Sequence, residues 1–334
     1  RFLLYMLRAE PFRASAPRLA SLDAPPRGGP TPEVPGFSSR FALIRGHTNI
    51  WCSKTDREHM MTAYMDHKDL TNESIDETRA TQIRDGVHRV LDAIAEAESA
   101  AGRAPGSVKL LAATKTRDVG EIMAAIDAGV RMIGENRPQE VMAKAEGLRR
   151  LCADRGFALG TGDGDTTRPS DAEHIPFHLI GQLQANKIGK ILPDVNTIES
   201  VDGVELAQRI ARRAVARGIT VGVLLEVNES GEASKSGCDP QAAVDIAAQI
   251  AQLDGIRLEG LMTIGAHVDD EATIRACFAH LRGTRDTILA SRAPGTEHCT
   301  ELSMGMTHDM ALAIAEGATI VRVGTAIFGE RAFV

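Results

Sequence analysis

Apolar positions between residues 74 and 101 recur at helical spacing. The positions that share one face of this helix are Ile83, Val87, Val90, Leu91, Ile94 and Ala95. Gly102 and Pro105 end the pattern, since glycine and proline both disfavour the interior of a helix. The spacing therefore predicts one amphipathic helix that precedes the rest of the fold.

After Pro105, short apolar runs alternate with stretches of helical spacing. Runs of this length, bounded by turn residues, are typical of strands. The eight predicted strands lie at residues 108–113, 130–134, 177–181, 197–199, 220–228, 257–264, 301–303 and 319–324. Helical stretches separate them near residues 118–128, 137–150, 184–191, 203–217, 240–252, 270–290 and 308–316.

This alternation favours a parallel sheet, because each helix carries the chain back to the start of the next strand. Eight such units in about 230 residues match a closed barrel better than an open doubly wound sheet. No GxGxxG follows the first strand, which argues against a dinucleotide-binding fold. The predicted fold class is α/β, a single (β/α)8 TIM barrel over residues 73–334 that includes the N-terminal helix.

Residues 1–72 have a different character. A run of prolines and glycines at residues 25–32 disfavours both helix and ladder strand. Arginines outnumber acids at the start of the chain, a composition that can mimic a transit peptide. We predict instead a disordered or non-native N-terminal extension, with Met60, Met61 or Met65 as the native start. We also predict a flexible surface loop at residues 160–167.

Composition excludes several classes of protein. The 334 residues carry a net charge of -7, which provides no basic surface for nucleic acid. No apolar run approaches the roughly 20 residues that a membrane-spanning helix needs. The five cysteines are odd in number and form no CxxC pair, so we expect a reducing cytoplasm and neither a disulfide framework nor a metal site.

Candidate chemistry lies where the predicted strands end, since a barrel carries its functional residues there. Lys115 directly follows the first strand. It could be a rim lysine whose amine reaches solvent. It could also form a Schiff base, because partial desolvation in the barrel mouth favours the neutral amine that this chemistry requires.

The last two strands end in small and hydroxylated residues. Gly324 allows a ligand to approach the backbone, and Thr325 adds a hydroxyl at the start of a helix. Ser303 could add a second hydroxyl, and barrels commonly bind phosphate at these two strands. The alternative is an ordinary glycine turn with Thr325 as a helix cap.

Arg322 lies inside an apolar strand, where an unpaired guanidinium is costly. Glu226 could pair with it, or Arg322 could contact a ligand near the barrel axis. Pyridoxal phosphate carries an aldehyde that Lys115 could bind, a phosphate that the strand ends could bind and a further group that Arg322 could contact. A sugar-phosphate aldolase would also use a lysine and a phosphate site, but would need an acid/base pair as well.

Seven motifs, in order along the chain, resemble the pyridoxal phosphate homeostasis protein family. They are LLAATKT at 110–116, GEN at 134–136, FHLIGQLQANK at 177–187, SKSG at 234–237, GLM at 260–262, LSMGMT at 302–307 and VRVGTAIFG at 321–329. This family is similar to the N-terminal barrel of alanine racemase, the fold-type III group of pyridoxal phosphate proteins.

The resemblance implies a role for each candidate residue. Lys115 would hold the cofactor as a Schiff base, and Arg322 would face the pyridine nitrogen, which keeps that nitrogen unprotonated and the ring a weaker electron sink. The remaining implied site residues are Ser303, Gly324 and Thr325 at the phosphate and Asn136 and Met304 along the pocket. The implied function is cytoplasmic binding and buffering of pyridoxal phosphate by a monomer, with apo-enzymes as candidate partners.

Turnover is a separate question. A racemase of this fold adds a tyrosine from a second domain, whereas no tyrosine follows Tyr64 and the sequence ends at Val334. We therefore expect a cofactor carrier without efficient turnover. The alternatives are a fold-type III pyridoxal phosphate enzyme with weak racemase-type activity and a Schiff-base aldolase barrel without the cofactor.

Overall fold

A computed structural model describes residues 69–160, 172–231, 236–265, 268 and 270–330. The predicted extension up to residue 68 and the predicted loop from residue 161 onward lie outside this part. Residues 69–72 precede the first helix and pack against the folded domain. Leu70 is buried there, and its carbonyl accepts a hydrogen bond from the Val119 N–H.

Ten strands occur in the described part of the chain. They are β1 (Lys109–Ala113), β2 (Ile133–Glu135), β3 (Phe157–Leu159), β4 (Glu173–Ile175), β5 (Phe177–Leu179), β6 (Thr197–Val201), β7 (Val221–Glu226), β8 (Ile256–Met262), β9 (Glu301–Ser303) and β10 (Ile320–Val323). Eight of them form a closed parallel barrel in the order β1-β2-β5-β6-β7-β8-β9-β10, with β10 paired to β1. The predicted (β/α)8 barrel is confirmed.

Helices follow the barrel strands. They are α1 (Glu77–Ala100), α2 (Val119–Asp127), α3 (Pro138–Ala153), α4 (Ile188–Ile191), α5 (Val204–Val215), α6 (Ala243–Ile250), α7 (Glu271–Ser291), α8 (Met310–Ala315) and α9 (Thr325–Phe328). Single 3-10 turns at Ala185–Lys187, Pro240–Ala242 and Thr296–His298 complete the pattern. Among the described residues, no helix is both long and apolar enough to cross a bilayer.

The N-terminal helix is present as predicted. Its apolar face is buried at Ile83, Val87, Val90 and Ile94, whereas Leu91 is one of the exposed large apolar residues. Gly86 lets α1 approach α9 closely, since a Cβ at this position would lie 2.5 Å from the Ile327 carbonyl oxygen. Helix α1 therefore packs directly on the end of the chain that follows β10.

Two apolar clusters hold the barrel together. The larger one fills the layer between strands and helices. The smaller one lies inside the barrel and consists of Leu111, Ala113, Met132, Ile180 and Ile320. Gly134 gives this inner cluster its room, because a Cβ there would lie 2.6 Å from the Leu111 side chain.

A second sheet has no counterpart in the sequence-based prediction. Strands β3 and β4 pair in parallel and flank residues 161–171. Each strand has only three residues, too few for an alternating pattern to be read from the sequence.

Candidate functional site

Two neighbouring strands bring most of the predicted site residues to one end of the barrel. Strands β1 and β10 pair with Leu111 opposite Arg322 and Ala112 opposite Val323. Lys115 follows β1, and Gly324 and Thr325 follow β10. The carboxyl ends of parallel strands share one edge, so these residues lie around the same mouth.

Lys115 lies in a tight turn at the end of β1, residues 114–117, which we call the lysine turn, and is half-buried. The Thr114 N–H donates to the Gly134 carbonyl at 2.9 Å, which continues the pairing of β1 with β2. The Arg117 N–H then donates to the Thr114 carbonyl at 3.0 Å and closes the turn. The lysine is therefore held by a defined backbone rather than by an open loop.

A chain of polar side chains crosses the inside of the barrel. The Nδ1 of His178 lies 2.7 Å from Oε1 of Glu199, and the Ser303 hydroxyl donates to Oε2 of Glu199 at 2.6 Å. Arg322 donates from Nη1 to Ser303 Oγ at 2.8 Å and from Nη2 to the Thr263 carbonyl at 2.7 Å. We call His178, Glu199, Ser303 and Arg322 the interior polar chain; all four are buried.

Burial and pairing have opposite effects on the pKa values of the charged residues in the interior polar chain. Burial works to raise the pKa of Glu199, but hydrogen bonds from His178 and Ser303 and the charge of Arg322 hold it below its usual value. Burial also lowers the pKa of Arg322 from its very high ordinary value, against the attraction of Glu199. An arginine remains charged even so, and the Ser303 hydroxyl therefore bridges two buried groups of opposite charge.

Ser303 is hydrogen-bonded to Arg322 and lies inside the barrel, whereas the other predicted phosphate ligands, Gly324 and Thr325, do not belong to the interior polar chain. Its hydroxyl gives its single proton to Glu199 and accepts from Arg322. Gly324 and Thr325 lie beyond the end of β10, where Thr325 is exposed. A role for Ser303 at the phosphate remains a prediction.

Gly324 allows a close approach between the two strand ends. A Cβ at this position would lie 3.1 Å from the carbonyl oxygen of Ala113. Its φ of −123° is open to any residue, so the glycine is favoured by space and not by conformation. The absence of a side chain at Gly324 therefore leaves the backbone after β10 open to a ligand, next to the end of β1.

The two predicted pocket residues lie in different surroundings. Asn136 follows β2, and its Oδ1 is buried and has no hydrogen-bond partner among the described residues. A Cβ on Gly181 would lie 2.3 Å from the Asn136 carbonyl oxygen, so only glycine fits beside it. Met304 is fully buried in the larger apolar cluster between strands and helices.

Sequence reasoning identified neither Glu199 nor His178 as a site residue. A signal was present, since Glu199 stands inside a buried strand much as Arg322 does. Opposite charges in two interior strands predict a contact when the sheet closes. Glu226, proposed as a partner of Arg322, is buried at the end of β7, but no hydrogen bond joins the two within the described part of the chain.

We expect Glu226 to make stability depend on pH. Burial raises the pKa of its carboxyl to about 7, against the attraction of Arg322 and with repulsion from Asp202. The folded protein thus keeps a proton that the unfolded chain releases near pH 4.5. The resulting stabilisation is complete below that pH and is lost as the pH rises through 7, a loss of up to about 3 kcal/mol.

The measurement is urea unfolding of cofactor-free wild type and Glu226→Gln between pH 4.5 and 8. The difference between their free energies of unfolding should shift in favour of the variant as the pH rises. Parallel pH profiles for the two proteins would contradict this account of Glu226.

The described residues contain no group of three or more His, Cys, Asp and Glu side chains arranged to hold a metal ion. The four cysteines of this part form no disulfide with one another, and burial raises the pKa of Cys152, Cys238 and Cys299 to about 12. These three thiols are poor nucleophiles at neutral pH. The candidate nucleophile at the barrel mouth is therefore the amine of Lys115.

Comparison with known proteins places this barrel in a class. The family described as "Alanine racemase, N-terminal domain" matches residues 91–332. A pyridoxal phosphate homeostasis protein of Aquifex aeolicus is 36% identical over 245 residues, which cover 73% of this chain and 96% of that protein. The chain belongs to the pyridoxal phosphate homeostasis protein family.

Two solved structures agree with this placement. A crystal structure of an unknown protein from Bifidobacterium adolescentis is 74% identical, with a TM-score of 0.75, and covers 78% of this chain and 100% of that one. The structure of PipY from Synechococcus elongatus with PLP bound is 34% identical, with a TM-score of 0.55, and covers 71% of this chain and 100% of that one. The family predicted from the seven motifs is confirmed.

Proposed function

We propose that this protein binds pyridoxal 5'-phosphate through Lys115 and acts in the homeostasis of that cofactor. The observation that carries the proposal is the pairing of β1 with β10, which brings together the two strand ends that carry Lys115 and Gly324 and sets Arg322 opposite Leu111 of the lysine strand. An amine at the barrel mouth, a guanidinium inside the barrel and the backbone N–H groups after β10 would match the three polar groups of pyridoxal phosphate. The relatives named above support the same cofactor.

The Lys115 Nζ would hold the cofactor through its aldehyde group, with the loss of one water molecule. When bound, the cofactor supplies an electron-withdrawing ring to amines that it carries.

The other residues of the mouth fit the rest of the cofactor. Arg322 would face the ring nitrogen from inside the barrel, held in place by Ser303 and Thr263. The orphaned Oδ1 of Asn136 offers an unused acceptor. Gly324 and Thr325 would bind the phosphate through backbone N–H groups and the exposed hydroxyl.

The proposed role is that of a carrier without efficient turnover. No tyrosine occurs after Tyr64 in the sequence, so the barrel itself offers no phenol as a second base opposite Lys115. We propose that the protein works as a monomer in the cytoplasm and passes the cofactor to apo-enzymes.

The direct test is an absorption spectrum of the purified protein with pyridoxal phosphate, before and after borohydride reduction. We expect a yellow protein that bleaches on reduction and carries one phosphopyridoxyl group on Lys115, located by peptide mass spectrometry. Pyridoxal, which lacks the phosphate, should bind more weakly because it cannot use Gly324 and Thr325. A protein that remains colourless and unmodified would overturn the proposal.

A further inference from the structure

A buried cluster of charges lies behind the lysine turn, on the side that faces helix α3. The Lys144 amine donates to Oε1 of Glu135 at 2.7 Å and to Oε2 of Glu140 at 2.9 Å. The exposed fraction of each of the three side chains is 1% or less. We call these residues the Lys144 cluster; none of them belongs to the interior polar chain.

The cluster binds the residues on both sides of Lys115. Lys144 donates to the Thr114 carbonyl at 3.1 Å, and the Thr114 hydroxyl lies 2.6 Å from Oε1 of Glu135. On the other side, the Thr116 N–H donates to Oε2 of Glu140 at 2.6 Å. Three of the five hydrogen bonds of the cluster therefore end on the lysine turn.

The backbone of this turn is strained. Thr116 has a φ of +65° and, with Arg292, is one of two residues other than glycine that have positive φ in the described part. A β-branched residue is a clear outlier in this region, and such a conformation costs about 1–3 kcal/mol. The N–H of this strained residue is the group that donates to Oε2 of Glu140.

We propose that Glu140, supported by Lys144, positions Lys115 for attachment of the cofactor by holding Thr116 in its left-handed conformation. Relaxation of Thr116 would rotate the peptide that follows Lys115 and change the direction in which the lysine side chain leaves the turn. The two cluster residues are positioning residues and do not touch the cofactor. This inference rests on the proposed function, in which Lys115 carries pyridoxal phosphate.

A purely structural role explains the cluster less well. Buried ion pairs contribute little net stability compared with apolar residues of similar size, so attachment of α3 to β1 and β2 does not require one. Such an attachment also gives no reason for a strained threonine next to Lys115. Strain that the surroundings maintain is typical of functional sites.

Glu140 is the informative residue of the cluster. Burial raises the pKa of Glu135 well above its usual range, against the charge of Lys144, and Oε2 of Glu135 lacks a hydrogen-bond partner among the described residues. Glu140 is the carboxylate that reaches the strained residue. Glu140→Met removes the acceptor of Thr116 and leaves Lys144 paired with Glu135.

The test combines this variant with Thr116→Gly. Glycine adopts a φ of +65° without strain and does not need Glu140 to hold it there. We expect Glu140→Met to weaken pyridoxal phosphate binding about ten- to a hundredfold, the equivalent of the released strain. The double variant Glu140→Met/Thr116→Gly should recover most of that affinity, although the cluster is still broken.

Two readouts separate positioning from stability. One is the affinity for pyridoxal phosphate from absorption titrations. The other is the rate at which a lysine-selective acylating reagent modifies Lys115 in cofactor-free protein, followed by peptide mass spectrometry. In Glu140→Met, the affinity for pyridoxal phosphate and the acylation rate of Lys115 should both differ from their wild-type values, and in the double variant both should return toward them. Stability to urea should fall in Glu140→Met and should stay low in the double variant.

Glu98 provides a matched control at the opposite end of β1. Its buried carboxylate accepts from the Gly106 N–H at 2.9 Å and from the Val108 N–H at 2.7 Å. Glu98→Met should lower stability to urea but leave both lysine readouts unchanged. If Glu140→Met is insoluble, Glu140→Gln, alone and with Thr116→Gly, gives the same comparison with a smaller expected loss.

The outcomes are distinct. If the wild type forms no adduct at Lys115, the proposed function fails. If the wild type forms it and Glu140→Met binds the cofactor equally well, or Thr116→Gly restores nothing, the positioning role is wrong while the proposed function stands. Loss in Glu140→Met with recovery in the double variant supports the inference.

Discussion

Lys115→Ala should yield a folded barrel that no longer forms a covalent bond with pyridoxal phosphate. Lys115 is half-buried and lies beyond the end of β1, outside both apolar clusters. Its removal should therefore change the free energy of unfolding by about 1 kcal/mol or less. The yellow colour and the borohydride-stable adduct should both be lost, and residual cofactor should leave on dialysis.

Lys109→Ala is the matched control for this variant. Lys109 begins the same strand at the opposite end of the barrel, is half-exposed and pairs with Glu301 at 2.6 Å. An exposed pair of this kind is worth about 1 kcal/mol at most, and the variant should keep both colour and adduct. An adduct that persists in Lys115→Ala on another lysine would show that Lys115 is not the attachment site.

The barrel could be predicted from the sequence because each unit repeats one local pattern. Apolar runs separated by helical stretches specify eight strands without knowledge of any contact between them. The bounds differ by a few residues, as at β2, where the predicted strand 130–134 is observed at Ile133–Glu135. Residues 130–132 still lie at the edge of the barrel, with Val130 and Met132 buried.

The second sheet could not be predicted because its signal is not local. Phe157–Leu159 and Glu173–Ile175 are two short segments that gain strand geometry only by pairing with each other. Helix α9, just four residues long, likewise depends on contact with α1, where Gly86 approaches Ile327. Short elements depend on tertiary context, since one turn of helix is unstable by itself.

The same distinction applies to the site. Lys115 and Arg322 can be recognised locally, because a lysine at a strand end and a charge inside an apolar strand are each unusual. Their partners are distant in sequence. Arg322 was considered with Glu226, whereas the structure pairs it with Ser303 and Thr263. Which interior strand faces which is decided by closure of the barrel.

The Lys144 cluster shows the limit of sequence reasoning most clearly. Glu140 and Lys144 have the i,i+4 spacing of an ordinary pair on the surface of a helix. Their side chains are buried only because α3 turns this face toward β1 and β2. Thr116 gives no signal either, since threonine is an unfavourable choice for a left-handed turn.

Arg322→Met should destabilise the fold by about 3–5 kcal/mol, the cost of leaving a buried carboxylate without its counter-charge. The carboxylate concerned is that of Glu199, which is fully buried and linked to Arg322 through Ser303. In a domain of this size the melting temperature should fall by about 10 °C. Arg257→Met is the control, because Arg257 and Glu259 form a partly exposed pair whose loss should cost about 1 kcal/mol or less.

A double-mutant cycle shows whether the loss arises from the unpaired charge. Glu199→Gln removes that charge, and when combined with Arg322→Met it should recover about 1–2 kcal/mol relative to Arg322→Met alone. Simple addition of the two single effects would mean that the arginine and the glutamate do not interact, and that Arg322 matters only through packing. Recovery would show that Glu199 and Arg322 stabilise each other inside the barrel, where the proposed function places the guanidinium opposite the ring nitrogen of the cofactor.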